Sequence, residues 1–165
     1  MKRTGASNLG AVGAALVAAL AVAVPLATAA ELTRDEYVAR VEPICKNNTE
    51  ANSRIFKGVK DEVKAGELQE AAQRFKRATS AFDKTIKQIK AVPQPTADEA
   101  KLTKWIGYLE TESSFLQKIG KALEVGDKFK AQAYSVKLNR NSTLANDTVF
   151  SFRFHYCRIN PSRFS

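Results

Sequence analysis

From Thr33 to Leu144 the apolar residues of this chain recur at intervals of three and four, with no sustained alternation. That period gathers side chains on one stripe of an α-helix, whereas a half-buried strand would alternate. Four stripes follow one another. The first holds Tyr37, Val41, Ile44, Cys45, Ala51, Ile55, Val59 and Val63, and the second runs from Leu68 through Phe75 and Phe82 to Ile89. The third is Leu102, Trp105, Ile106, Leu109, Leu116, Ile119 and Leu123; the fourth, the least regular, is Phe129, Ala133, Val136 and Leu144. Gly66 and Gly126 suit left-handed helix caps, and the prolines of "VPQP" (92–95) stop the second helix. "TRDE" (33–36) and "TADE" (96–99) have capping-box spacing, and Asp127 can cap the fourth helix. Short turns at 66 and 126 bring neighbours back antiparallel. The chain is therefore expected to be all-α, an up-down four-helix bundle with helices over about 34–65, 67–91, 97–124 and 127–150. Pro43 predicts a kink or break near 40–43.

A faint internal repeat accompanies this pattern. At an offset of sixty residues Ile55, Phe56, Val59, Val63, Gly66 and Glu67 line up with Phe115, Leu116, Ile119, Leu123, Gly126 and Asp127. Two helical hairpins with a glycine turn would produce the same correspondence.

Residues 1–30 read as an export signal rather than as part of the fold. Lys2 and Arg3 precede the uncharged run "AVGAALVAALAVAV" (11–24), Pro25 breaks it, and "ATAAE" (27–31) offers small residues for cleavage after Ala29 or Ala30. The run is shorter than the ~20 residues that a membrane-spanning helix needs. No cysteine lies near the cleavage site, so lipid modification there is ruled out. The remaining domain, 31–165, is expected to be secreted or extracytoplasmic, with no integral membrane segment. The whole chain carries a net charge of +9, and removing Lys2 and Arg3 leaves +7.

Cys45 and Cys157 are the only cysteines. Export places them where disulfides persist, and two thiols allow one intramolecular pairing. Register then constrains the end of the chain. If residue 128 lies level with 65, Cys45 lies level with 148, and a helix continued to Cys157 would overshoot by about 13 Å at ~1.5 Å per residue. A disulfide tolerates only ~4.4–6.8 Å between Cα atoms. The fourth helix is thus expected to stop near 148–152, unless Pro43 bends the first helix down instead. In "FSFRFHYC" (150–157) Phe150, Phe152, Phe154 and Tyr156 alternate with polar residues, which predicts an extended segment lidding the core, pinned by Cys157.

Catalytic patterns are scarce. His155 is the only histidine, without the partners of a nucleophilic triad, and two Cys with one His do not close a zinc site. No catalytic, cofactor-binding or metal-binding residue is assigned, and no cofactor is expected. Glu36–Arg40, Glu42–Lys46, Glu50–Arg54, Glu70–Arg74 and Asp83–Lys87 have the four-residue spacing of surface helix ion pairs. "NNT", "NST" and "NDT" at 47, 141 and 146 match the glycosylation pattern but fall inside helices. Arg140 and Asp147 sit near expected apolar positions of the fourth helix, so a polar ligand pocket between helices is one reading and an exposed or ion-paired placement the other.

The signal peptide, the first-helix segment "YVARVEPIC" (37–45), the turns "AGEL" and "VGDK", and the aromatic run ending in Cys157 together resemble small exported all-helical proteins of actinomycete-type bacteria. That group has no assigned function, and the high lysine content and "RINPSRFS" extension depart from it. The resemblance implies the bundle, export and the disulfide. Function is therefore read as a secreted, non-enzymatic bundle. Its rivals are a basic module binding an anionic cell-envelope polymer, with nucleic acid disfavoured for want of aromatics among the basic stretches, and a small-ligand carrier with a site in the bundle core.

Overall fold

The computed structural model describes residues 31–159, so the export signal over 1–30 and the turn expected at 160–162 lie outside the described residues. Five α-helices account for most of it: α1 (Arg34–Ile55), α2 (Val59–Ala65), α3 (Leu68–Lys90), α4 (Glu99–Glu124) and α5 (Lys128–Thr148). There is no strand among the described residues. With α1 and α2 as one interrupted rod, the four-helix architecture is as the stripes predict.

The capping box at Thr33 forms: its hydroxyl accepts the Glu36 N–H, and the Glu36 carboxylate accepts the Thr33 N–H at 2.8 Å. The expected break at Pro43 does not occur, and α1 runs through it. Pro43 removes a bond to the carbonyl of Ala39, but both residues are exposed, so water can replace it. The rod breaks instead at Gly58, whose φ of 86° no right-handed helix contains. The break turns both Phe56 and Val59 inward, and the Phe56 ring meets Phe75 edge-on at 5.0 Å. Arg74 holds the junction, donating from Nη1 to the Ile55 carbonyl at 2.9 Å and from Nε to the Glu62 carboxylate.

The two glycine turns are built alike. Gly66 and Gly126 have φ of 85° and 78°, and the residue after each donates its N–H five residues back, Glu67 to Glu62 and Asp127 to Ala122. Asp127 caps α5 as expected, accepting from the Lys130 N–H. The "TADE" box does not form. Thr96–Asp98 is a 3-10 turn, and the Asp98 carboxylate is held by a two-pronged bond from Arg34 at 2.6 and 2.7 Å. Arg34 thereby ties the start of α1 to the start of α4.

Packing runs in sequence, α1 on α3, α3 on α4 and α4 on α5, while α1 and α5 scarcely touch. The C-terminal segment closes that fourth side. α5 ends at Thr148, within the range the register argument required, and Cys45 and Cys157 form the disulfide with Cα atoms 5.0 Å apart. The segment is not extended, however. Phe150–Phe152 forms a 3-10 turn and Arg153 takes a left-handed φ of 54°, so the alternation of aromatics does not create one face. Phe152 and Phe154 are buried, Tyr156 is half-buried, and Phe150 is 72% exposed. Phe154 stacks on Trp105 at 5.3 Å and on Phe152 at 5.5 Å. The aromatic lid exists, made by two rings rather than four.

Polar bonds fix the lid from both sides. The Glu42 carboxylate of α1 accepts the N–H groups of His155, Tyr156 and Cys157, and the Asn146 amide of α5 pairs with both backbone groups of Ile159 at 2.8 Å. None of the five four-apart ion pairs forms among the described residues. Arg74 chooses Glu62, Glu42 holds backbone and Asp83 accepts from Ser113. Contacts between elements win because they satisfy partly buried groups, while an exposed helix pair is worth only ~0.2–0.5 kcal/mol.

Candidate functional site

Arg140 and Asp147 do not make a pocket. Both lie on the exposed side of α5, and the polar residues turned inward are their neighbours Asn141 and Ser142. The irregular fourth stripe misleads because the helix buries Ala131, Leu138, Asn141, Ser142 and Ala145 rather than Phe129, Val136 and Leu144. Asn141 Nδ2 donates to the Tyr108 carbonyl at 2.9 Å, and Asn146 is bonded to Ile159, so two of the three glycosylation-pattern amides have structural work. His155 is exposed, its ring edge-on to Tyr156 at 4.5 Å.

The concave site lies elsewhere, between α1, α3, α4 and the C-terminal segment. A cavity of about 480 Å³ opens there, within the ~300–1,000 Å³ range of small-molecule sites. Its walls are Phe56, Phe82, Ile89, Trp105, Leu109 and Leu116, with the disulfide itself forming part of one side. Exposed Ser53, Lys57 and Arg158 stand at the rim, and half-buried Tyr156 and Ile159 beside them belong to the lid segment. The gap follows from the fold: α1 and α5 scarcely touch, and a short irregular segment takes the place that a helix would fill.

Two polar residues intrude on this apolar wall. Asn52 of α1 is 9% exposed and Glu112 of α4 is 1% exposed. Both occupy stripe positions, Asn52 one turn before Phe56 and Glu112 between Leu109 and Leu116. They also stand sixty residues apart, so the same place in each hairpin is polar. The correspondence extends through the cavity, where Cys45 matches Trp105, Thr49 matches Leu109 and Phe56 matches Leu116. A carboxylate in the middle of an apolar stripe, doubled by an amide at the repeat offset, was a legible signal that the stripe reading passed over.

The protonation of Glu112 can be argued from its partner. Ser142 Oγ lies 3.2 Å from Glu112 Oε1 and 3.0 Å from the Leu138 carbonyl, and a hydroxyl has one proton. That proton goes to Glu112 Oε1 or to the Leu138 carbonyl, one at a time, so Ser142 gives the carboxylate only a shared bond. Burial pushes the carboxyl up to about 8, against a smaller downward pull from Ser142. Glu112 is thus a neutral acid at neutral pH. Its other oxygen, Oε2, has no partner among the described residues; neither do Asn52 Oδ1, Asn48 Oδ1 or the indole Nε1 of Trp105, all on residues lining the cavity. An unmatched buried polar atom costs about 1–3 kcal/mol, and four gathered around one cavity mark a place suited to hydrogen-bonding a guest.

Among the described residues no three His, Cys, Asp or Glu side chains are placed to hold a metal ion, and no helix is long and apolar enough to cross a membrane. Comparison of the chain with family models, with curated proteins and with solved structures finds no match.

Proposed function

We propose that this protein is an extracytoplasmic, non-enzymatic carrier that binds one small, largely apolar molecule in the cavity between α1, α3, α4 and the C-terminal segment. The observation that carries the reading is the cavity with its buried, half-bonded Glu112. Pure packing would place an apolar side chain at that stripe position, since an isolated polar group in a core is destabilising. The disulfide supports an oxidising compartment. It also holds the lid segment against α1, so the site persists without a guest. The basic-module reading has no comparable built feature behind it.

Native mass spectrometry of the protein exported by its own host tests the carrier. A noncovalent small-molecule adduct is expected, lost in Thr85→Phe, a substitution that fills the cavity from α3 where Thr85 is 6% exposed. A ligand-free mass for the wild type, with no small molecule recovered from the denatured protein, overturns it.

A further inference from the structure

We infer that the guest is an amine, a protonated nitrogen on an apolar body, whose ammonium bonds Glu112 at the cavity wall. This rests on the carrier reading and specifies its ligand chemistry. On the residues of α1 and α4 that line the cavity, the unpartnered buried atoms are three acceptors, Glu112 Oε2, Asn52 Oδ1 and Asn48 Oδ1, and one donor, Trp105 Nε1. A guest that donates satisfies three of these four atoms, and one that only accepts satisfies one. A hydroxyl brings one proton, a primary ammonium three, and a carboxylate none. The aromatic walls of Phe56, Phe82 and Trp105 favour the same guest, because ring faces attract a desolvated cation.

The proton count is explicit. In the empty site burial keeps the proton on Glu112, and the Ser142 hydroxyl is shared between Glu112 Oε1 and the Leu138 carbonyl. An entering ammonium donates to Oε2 and favours the carboxylate, so the Glu112 proton leaves to solvent and Ser142 turns its hydroxyl onto Oε1. No bond to carbon forms or breaks, and one proton is released for each guest bound. The other charged or titratable side chains lining the cavity are Lys57 after α1, and Tyr156 and Arg158 of the C-terminal segment; α3 and α5 supply none, and Asp83 of α3 is bonded to Ser113. Lys57 and Arg158 are exposed, where salt screens their repulsion of a cation.

Trp105 is the only tryptophan, so occupancy reads directly on its emission. Octylamine, octanol and octanoate share one apolar body and differ in the head group. Octylamine is expected to shift Trp105 emission and to bind at least about tenfold tighter than octanol, with no binding of octanoate. Calorimetry near pH 6.5 in two buffers of different ionisation enthalpy is expected to show close to one proton released. Glu112→Gln is expected to weaken octylamine about tenfold or more and to abolish the proton release, while octanol binding stays within about twofold. Tighter binding of octanoate or octanol, or octylamine binding without proton release, overturns the amine and leaves the carrier standing. If none of the three perturbs Trp105, the amine inference falls, and the host-derived mass decides the carrier separately.

Discussion

The two hairpins of this molecule, α1–α2–α3 and α4–α5, are the same framework used in two ways. Their glycine turns share one geometry, and positions sixty apart are buried together: Ala71 with Ala131, Ala78 with Leu138, Phe82 with Ser142, Val59 with Ile119. The rods before the turns differ. α4 is an uninterrupted helix of 26 residues, packed against neighbours on two sides. Its counterpart is broken at Gly58, packs chiefly on α3 among the long helices, and is tied to the chain end by a disulfide and by Glu42. Packing positions are alike in the two halves; the chemistry sits where they diverge. Cys45 stands where the second hairpin has Trp105, and Asn52 where it has Glu112. A framework with one loosely partnered rod leaves room for a cavity, and a covalent tie keeps that rod in place.

Cutting the tie is the largest expected perturbation of this contrast. The disulfide spans 112 residues, and closing a loop of that length in the unfolded chain is worth up to about 5 kcal/mol in the chain-entropy description. Cys45→Ser with Cys157→Ser, or reduction, is expected to lower stability by most of that amount in urea unfolding. Loss of the Phe154–Trp105 stack should accompany it as a change in Trp105 emission before global unfolding. A loss below about 1 kcal/mol would mean that Glu42 and Asn146 hold the lid unaided.

Next in size is the pH response of the polar pair. The folded Glu112 carboxyl lies at about 8, against an ordinary value of 4.5. A raised carboxyl binds its proton better when folded, so its stabilisation is complete below the unfolded value and falls as pH rises toward the folded one. Between pH 4.5 and 7 the empty protein is expected to lose about 3 kcal/mol from this group, at ~1.4 kcal/mol per pH unit. Glu112→Gln should flatten that slope. Asn52→Leu, at the equivalent place in the other hairpin, should leave it intact, since an amide does not titrate. Asp98 has the opposite sign. Arg34 holds its carboxyl below the usual range, so its contribution is present above the unfolded value and is lost as pH falls through the folded one. Denaturant melts across pH 3–9 separate the two limbs.

The glycine turns test the likeness itself. No atom lies within 4 Å of a Cβ built on Gly66 or Gly126, so an alanine there costs only the left-handed backbone, about 1 kcal/mol at each. Equal losses are expected for Gly66→Ala and Gly126→Ala. Gly120 differs: its Cβ would meet Phe75 Cβ at 3.1 Å, where α3 and α4 approach closely, while the position sixty earlier is exposed Lys60. A marked inequality between the two turn variants would show that the hairpins are under different strain.

These contrasts also mark what could be read without coordinates. The four rods, both glycine turns, the first capping box and the end of α5 follow from period, punctuation and the reach of one disulfide. The break at Gly58 is not legible in the sequence because a helical stripe continues across it, through Ile55, Val59 and Val63, and tertiary burial of Phe56 decides the geometry. The terminal run is strand-like in pattern only, because alternation alone does not specify a strand without a partner to pair with. Arg140 and Asp147 drew attention on a stripe that α5 does not bury. Glu112 and Asn52 escaped it because the stripes around them were otherwise good.

The smallest expected effect concerns a polar atom outside the cavity. Tyr37 is fully buried in α1, its hydroxyl has no partner among the described residues, and burial alone pushes its pKa up to about 12. It differs from Glu112 in that it does not line the cavity. If unmatched polar atoms at the cavity serve a guest, Tyr37 serves none, and Tyr37→Phe removes an unsatisfied group while keeping the ring. Stability is expected to hold or rise by up to about 1 kcal/mol, with octylamine titration of Trp105 unchanged. A loss above about 1 kcal/mol would require that hydroxyl to be bonded in solution, and would weaken the inference that unpartnered atoms single out the cavity.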